Sequence, residues 1–151
     1  MAQTSDGMSF VQAKAYISDD DGATWTDASG HGASISLGGG ERASGEQNTF
    51  DGTLPIVKAA DRAATDLTLS FVYTEAVSEP FDKARDVHES DDPLFMVAYL
   101  TKTGGQWYTT ASGSVLTNVT YPQGEANSGD VILCDIVVKS PGILKIIAPS
   151  L

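Results

Sequence analysis

Between Asp66 and Thr101 the spacing of hydrophobic positions changes twice. Leu67, Leu69, Phe71 and Tyr73 alternate with Thr68, Ser70, Val72 and Thr74, and this period of two predicts a strand with one face in a core. Beyond it, Phe81, Ala84, Val87 and His88 recur at helical spacing behind Glu79 and Pro80. The spacing predicts one amphipathic helix over 79–90, capped by Ser78, with Pro80 in its first turn. Asp91 and Asp92 end the helix, and Pro93 opens an apolar run, Leu94 to Leu100, that reads as a second strand.

Strands and loops fill the rest of the chain. Val11, Ala13, Ala15 and Ile17 alternate with Gln12, Lys14 and Tyr16, and Asp19 to Gly22 supply turn chemistry before a short strand at Thr24 to Thr26, which makes a hairpin. Ala33 to Leu37 reads as a strand feeding Gly38-Gly39-Gly40. From there to Gly52 no packing pattern is visible, and a long polar loop over 38–52 is expected, functional or ordered by a partner. Gln106 to Thr110, Val115 to Tyr121 and Val131 to Lys139 complete the strands, with Gly104-Gly105 as a hairpin turn and Pro122 to Asp130 as a second polar loop. Residues 141–151 form a C-terminal extension in which Ile143 to Ala148 is either an edge strand or a segment that pairs with another chain. No internal repeat is present. The fold class is mainly β: an antiparallel β-sandwich or barrel with one flanking helix, in a single domain over 1–151.

Composition narrows the function. At 151 residues and 41% apolar content, one domain can bury a core without disulfides. The single cysteine, Cys134, lies in an apolar strand run and reads as a buried thiol. The sequence opens without a signal-peptide pattern and has no apolar run long enough to cross a bilayer, so the expectation is assembly in a cytoplasm without a membrane partner. Twenty acidic residues against nine basic ones give a formal net charge of −11. Conventional nucleic-acid binding needs basic clusters that are absent here. An acidic surplus supplies solubility, and it also suits a surface past which DNA must slide without being gripped.

The candidate chemistry is thin. Ser18-Asp19-Asp20-Asp21-Gly22-Ala23-Thr24-Trp25 fits the S-x-D-x-G-x-T-W hairpin pattern found repeatedly in sialidase propellers, but it occurs once here and builds a turn. The three aspartates lack the spacing of a calcium loop. Asp27, Ser29, His31 and His88 form no nucleophile elbow, Cys-His pair or zinc helix. Gly38 to Gly40 lacks the Lys and Ser or Thr of a phosphate cradle. Asn118-Val119-Thr120 is a chance match to a glycosylation acceptor. Neither cofactor nor metal is expected, and the chain is not read as an enzyme. Glu89, Asp91 and Asp92 stand at the helix end where the dipole disfavours them, marking either a functional surface or a simple turn.

Gly45-Glu46-Gln47-Asn48-Thr49-Phe50-Asp51-Gly52, the strand Asp66 to Glu75, the helix start Pro80-Phe81-Asp82-Lys83-Ala84 and the Tyr121-Pro122-Gln123-Gly124 turn before Ser128-Gly129-Asp130 together resemble the tail tube proteins of long-tailed bacteriophages. The resemblance spans roughly Gly7 to Ser140. It implies a phage virion tail component whose hexameric rings join their inner strands into one barrel and stack into a tube, with DNA as passing cargo. Tail terminator, tape-measure and baseplate or tip proteins would be its partners. It also implies that Gly38, Gly39, Gly40, Glu41, Arg42, Glu46, Asn48, Phe50 and Asp51 reach a neighbouring subunit or ring, and that acids line the lumen; alternation nominates Glu75 and Asp135 on strands of the inner sheet, with Glu125 and Asp130 as loop candidates near the ring face. Relatives of this fold build the tubes of contractile secretion machines as well. The alternative is a monomeric carbohydrate-binding or adhesion module with Trp25, Trp107 and Tyr108 as a stacking platform.

Overall fold

The computed structural model describes residues 7–10 and 12–149; Val11 and the last two residues of the C-terminal extension lie outside them. Eleven strands and one helix follow in the order β1 (Lys14–Ser18), β2 (Thr26–Asp27), β3 (Gly32–Gly39), β4 (Arg42–Gln47), β5 (Ile56–Arg62), β6 (Thr65–Val72), α1 (Pro80–His88), β7 (Met96–Leu100), β8 (Trp107–Thr110), β9 (Val115–Val119), β10 (Leu133–Ser140) and β11 (Ile143–Ile146). They form a five-stranded sheet β11-β8-β7-β1-β2, a four-stranded sheet β3-β6-β10-β9 and a separate two-stranded hairpin β4-β5. All strand pairs are antiparallel.

The two larger sheets face each other across the core. From the four-stranded sheet come Leu67, Leu69 and Phe71 of β6 and Cys134, Ile136 and Val138 of β10; from the five-stranded sheet come Ala15 and Ile17 of β1 and Val97 and Tyr99 of β7. Fully burying each such Leu, Ile, Val or Phe contributes about 1.5–3 kcal/mol. Helix α1 lies against β9 and adds Phe81 and Ala84 to the core, with the Phe81 ring edge-on to Tyr73 and Tyr121 at centroid distances of 5.0 and 5.8 Å. Burial pushes the Cys134 thiol above its usual pKa, and the Asp135 charge adds to the effect. The thiol is a core group and not a nucleophile in waiting.

Several local expectations shift. The helix N-cap is Glu79, not Ser78: Pro80 at the first helical position holds the residue before it extended, and Glu79 has ψ 167°. Ser78 instead takes a left-handed φ of 68° and donates its N–H to the Asp82 carboxylate at 3.0 Å. Glu89 at the helix end is matched by Arg85 at 3.7 Å and accepts the Tyr121 hydroxyl at 3.2 Å, which offsets its unfavourable place on the dipole. Of the two options for the C-terminal run, Ile143–Ile146 is an edge strand paired with β8. The largest departure lies in residues 38–52. They are not one long loop, because 42–47 form β4, paired with β5 from Arg42↔Arg62 to Gln47↔Ile56. Period-two reasoning missed this hairpin because neither strand buries a face.

The Ser18–Trp25 turn is built as its pattern requires. Asp20 accepts the Thr24 N–H at 2.9 Å and the Ser18 hydroxyl at 2.8 Å, Ser18 accepts the Gly22 N–H at 2.9 Å, and Gly22 holds a φ of 88°. Asp21 ties this turn to the β8–β9 connection, accepting from the Ser112 hydroxyl at 2.7 Å and the Gly113 N–H at 2.9 Å. The Thr24 bonds hold the Asp20 carboxyl at about 2, against an ordinary 3.8. Because the folded value is depressed, the stabilisation is complete above pH 3.8 and disappears as pH falls through about 2. Asp20→Asn should therefore lower the melting temperature at pH 6, and the gap to the unsubstituted protein should close between pH 4 and pH 2 in a calorimetric pH series.

Candidate assembly surfaces

The four-stranded sheet has one apolar and one polar face. On the face away from the core, Ser34 and Ser36 of β3, Thr68 and Ser70 of β6, Asp135 and Val137 of β10 and Asn118 of β9 stand in register. The charges on this face are Asp66, Asp135 and Lys139, with Lys139 Nζ 4.0 Å from Asp66. The Ser70 hydroxyl donates to the Asp135 carboxylate. One unmatched acid therefore remains on a surface of small hydroxyl side chains.

The edges of this sheet are unequal. Among the described residues no strand pairs with the outer edge of β3. The outer edge of β9 is covered at its start, where Leu116 donates to the Pro93 carbonyl at 2.9 Å and Phe95 donates to that of Ser114 at 3.0 Å, and it opens from Thr117 onward. Strand directions alternate through β3, β6, β10 and β9. With four strands, β3 and β9 run in opposite directions, so β3 of one copy can continue the sheet antiparallel to β9 of another.

The hairpin leaves this sheet at one end. Gly39 and Gly40 have φ of 74° and 77°; a Cβ on Gly39 would stand 2.5 Å from the Ala64 carbonyl oxygen, and Gly40 donates its N–H to that same oxygen at 3.0 Å. Only glycine turns the chain here without strain. Glu41 accepts from the Ala63 N–H at 2.8 Å, and Arg42 and Glu46 sit on β4, with Arg42 donating to the Ala60 carbonyl at 3.2 Å. Asn48, Phe50 and Asp51 form the exposed connection to β5. Every residue of both strands is exposed, as are Phe50, Leu54, Ile56 and Val57.

The acids nominated from sequence separate into two groups. Asp135 stands on the polar face. Glu75 follows β6 and accepts the Tyr73 hydroxyl at 3.3 Å, while Glu125 and Asp130 lie in the exposed segment between β9 and β10. These three share the sheet end where β6 stops and β10 begins, joined by the Tyr73 N–H to Ile132 carbonyl bond at 3.0 Å. That is the end opposite the hairpin, which leaves between Gly39 and Thr65. Exposed Val77, Val131 and Leu133 accompany the acids there. Sequence reasoning missed Asp66 and Lys139 on the polar face, although the Asp66, Thr68, Ser70 phase of the β6 alternation pointed to it.

The aromatic platform does not form. Trp107 and Tyr108 are successive strand residues and face opposite ways: Trp107 packs on Tyr16 at 4.9 Å, and Tyr108 on Tyr99 at 5.7 Å. Among the described residues no cluster of three or more His, Cys, Asp or Glu side chains could hold a metal ion.

No family model matches the sequence, and no curated protein matches it. The fold has close counterparts among solved structures. A chain of the sheath–tube complex of an extracellular contractile injection system, PVC, in its extended state superposes with a TM-score of 0.65 at 13% identity, covering 95% of this chain and 94% of the other. The fold is tail-tube-like. A chain of the tube-terminating cap of the anti-feeding prophage gives a TM-score of 0.62 at 13% identity over 98% and 96%, and one from the baseplate of the same particle gives 0.59 at 10% identity over 97% of each. At such identities the likeness is one of architecture.

Gly39→Ala should release the hairpin without unfolding the body. Its left-handed φ alone costs about 1–2 kcal/mol, and the steric conflict with Ala64 adds to that. Amide hydrogen exchange should accelerate in residues 42–62 at least several-fold and stay unchanged in β6 and β10; uniform acceleration would show that the hinge also supports the core.

Proposed function

We propose that this chain is a structural tube subunit: copies close into hexameric rings, and the rings stack into a hollow tube in the tail of a phage or phage-derived particle. The observation that carries this reading is the four-stranded sheet with opposed edge directions and a polar outer face. Six copies of a four-stranded sheet give a barrel of about 24 strands, which at ordinary strand spacing and tilt measures roughly 45–50 Å between facing backbones. Such a bore admits a DNA duplex. Closure also removes the open edges that would otherwise pair without control. Chemistry is not part of the role, and the partners are further copies of the chain, with terminator, tape-measure and baseplate or tip components at the ends.

DNA is the cargo this reading favours. The polar face carries two acids and one lysine, the lysine engaged with Asp66, so a duplex would meet no free cation there and would slide without counterion-releasing grip. The likeness to a sheath–tube complex favours a second reading in the same class, a tube within a contractile apparatus. The two readings share the ring and differ in what surrounds it.

Sedimentation of the assembled protein should give a smallest oligomer of six times the chain mass, with larger species in whole multiples of six; dimers or a lone monomer at every concentration would overturn the ring. In preformed tubes, Asp135→Lys should retain DNA at low salt and release it as salt rises, whereas unsubstituted tubes retain none. Equal retention by both would count against the polar face as the lumen wall.

A further inference from the structure

The few cations of this acidic chain are unevenly placed. Arg42, Lys58 and Arg62 belong to the β4-β5 hairpin. Lys83 stands 3.8 Å from Asp19, Arg85 meets Asp82, Asp86 and Glu89, and Lys139 meets Asp66. Lys14, Lys102 and Lys145 remain, and among the described residues no carboxylate pairs with any of them. Strand pairing brings all three to one end of the five-stranded sheet. Lys14 stands opposite Leu100, Leu100 opposite Trp107 and Trp107 opposite Ile146, a single row across four strands. Lys102 follows β7 into its turn, and Lys145 directly precedes Ile146. At ordinary strand spacing the row from β1 to β11 measures about 14 Å. The three lysines are exposed, and residues 7–14, 100–107 and 143–149, which build this end, contain no Asp or Glu. On the neighbouring β2, Asp27 stands opposite Tyr16 and accepts the N–H of its own loop residue Ser29 at 2.9 Å.

Apolar surface accompanies the charge. Leu144 and Ile147 are exposed, Ile147 almost completely at 96%, and Phe10 stacks on Tyr99 at a centroid distance of 6.4 Å while its outer side stays in water. Gly105, Gln106, Lys145, Ile146 and Ile147 line a depression of about 460 Å³ between the β7–β8 turn and the end of β11. Its shape is held from below: the Gln106 side-chain amide donates to the Ile146 carbonyl at 2.6 Å, and a Cβ on Gly105 would stand 2.5 Å from Thr101 Oγ1 and 2.9 Å from the Lys102 carbonyl oxygen.

We propose that this end binds an extended acidic segment of a separate protein, with carboxylates meeting Lys14, Lys102 and Lys145 and apolar side chains resting on Ile147 and Phe10. Four or five extended residues, at roughly 3.3–3.6 Å each, span the row. Lys145 by itself would be an ordinary charge guarding a sheet edge. Lys14 lies on an interior strand and Lys102 in a turn, so edge protection does not account for them. A nucleic acid fits less well, because three cations release few counterions and a phosphate backbone would leave Ile147 and Phe10 uncovered. In the ring proposed above the five-stranded sheet is the outer layer, which makes this end reachable from outside the tube. That placement rests on the tube reading; the site rests on the charge distribution alone.

The test uses a fluorescent peptide of about eight residues, long enough to cross the row, alternating Glu and Val, beside a control alternating Lys and Val. Fluorescence anisotropy should show the acidic peptide binding the monomer and weakening as salt rises, since exposed charges are screened, while the control stays free. The triple variant Lys14→Glu, Lys102→Glu, Lys145→Glu should lose at least about tenfold in affinity with an unchanged circular dichroism spectrum, and the triple Gln variant should fall between. With the peptide bound, acetylation read by mass spectrometry should slow at these three lysines and not at Lys58. Equal binding of both peptides, an unaffected triple variant, or tighter binding to oligothymidylate or to phosphatidylserine vesicles would overturn the site. Preformed tubes should bind the peptide as the monomer does; binding by the monomer alone would show that a second copy occupies this end and would overturn the separate partner while leaving the tube. A protein that binds the peptide and never assembles would overturn the tube and leave the site.

Discussion

Leu67, Leu69 and Phe71 of β6 stand directly opposite Val138, Ile136 and Cys134 of β10, and this pairing of two apolar phases sets most of what surrounds it. Because side chains alternate, fixing these six in the core fixes Asp66, Thr68, Ser70, Asp135 and Lys139 on the other face. A slip of one residue in β10 against β6 would turn Asp135 and Lys139 into the sandwich, at a cost of several kcal/mol for each unpaired charge. The polar face of the four-stranded sheet is therefore tied to the stability of the fold. Substitutions there can change the chemistry of this exposed face with little effect on the core.

The outer strands add asymmetry. Among the described residues β3 presents an open edge, β9 opens only beyond Leu116, and the hairpin departs where Gly39 and Gly40 take conformations that other residues adopt only under strain. The exposed apolar side chains concentrate at the two ends of the sheet, Phe50, Leu54, Ile56 and Val57 with the hairpin and Val77, Val131 and Leu133 at the other. Patches of this kind mark contact surfaces in soluble proteins. Under the proposed role they fall where one ring would meet the next.

How much the sequence disclosed followed from burial. β6, α1, β7 and β10 each bury one face or both, and their periodicity was readable to within a residue or two. β4 and β5 bury neither face, so the polar run after Gly38 looked like a loop, and the order it has comes from backbone pairing that side-chain patterns do not report. Ser78 was a plausible cap by residue type, yet the conformational demand of Pro80 moved the cap to Glu79. Alternation nominates Glu75 and Asp135 alike; Asp135 stands on the polar face, whereas β6 stops at Val72, before Glu75. Glu75, Glu125 and Asp130 lie off the strands, where alternation has no authority; their shared position at one sheet end emerges only from the β6–β10 pairing. The Ser18–Trp25 turn was the most legible element of all, since each of its bonds is local in sequence.

The central claim is that the β3-β6-β10-β9 sheet forms the wall of a closed barrel. Electron cryo-microscopy of the purified protein, assembled at high concentration, tests it most directly. The account predicts hollow sixfold tubes with β3 of each subunit antiparallel to β9 of its neighbour and Ser36, Ser70 and Asp135 facing the bore. Tubes with the five-stranded sheet on the inside, or a different copy number per ring closed through other edges, would contradict it.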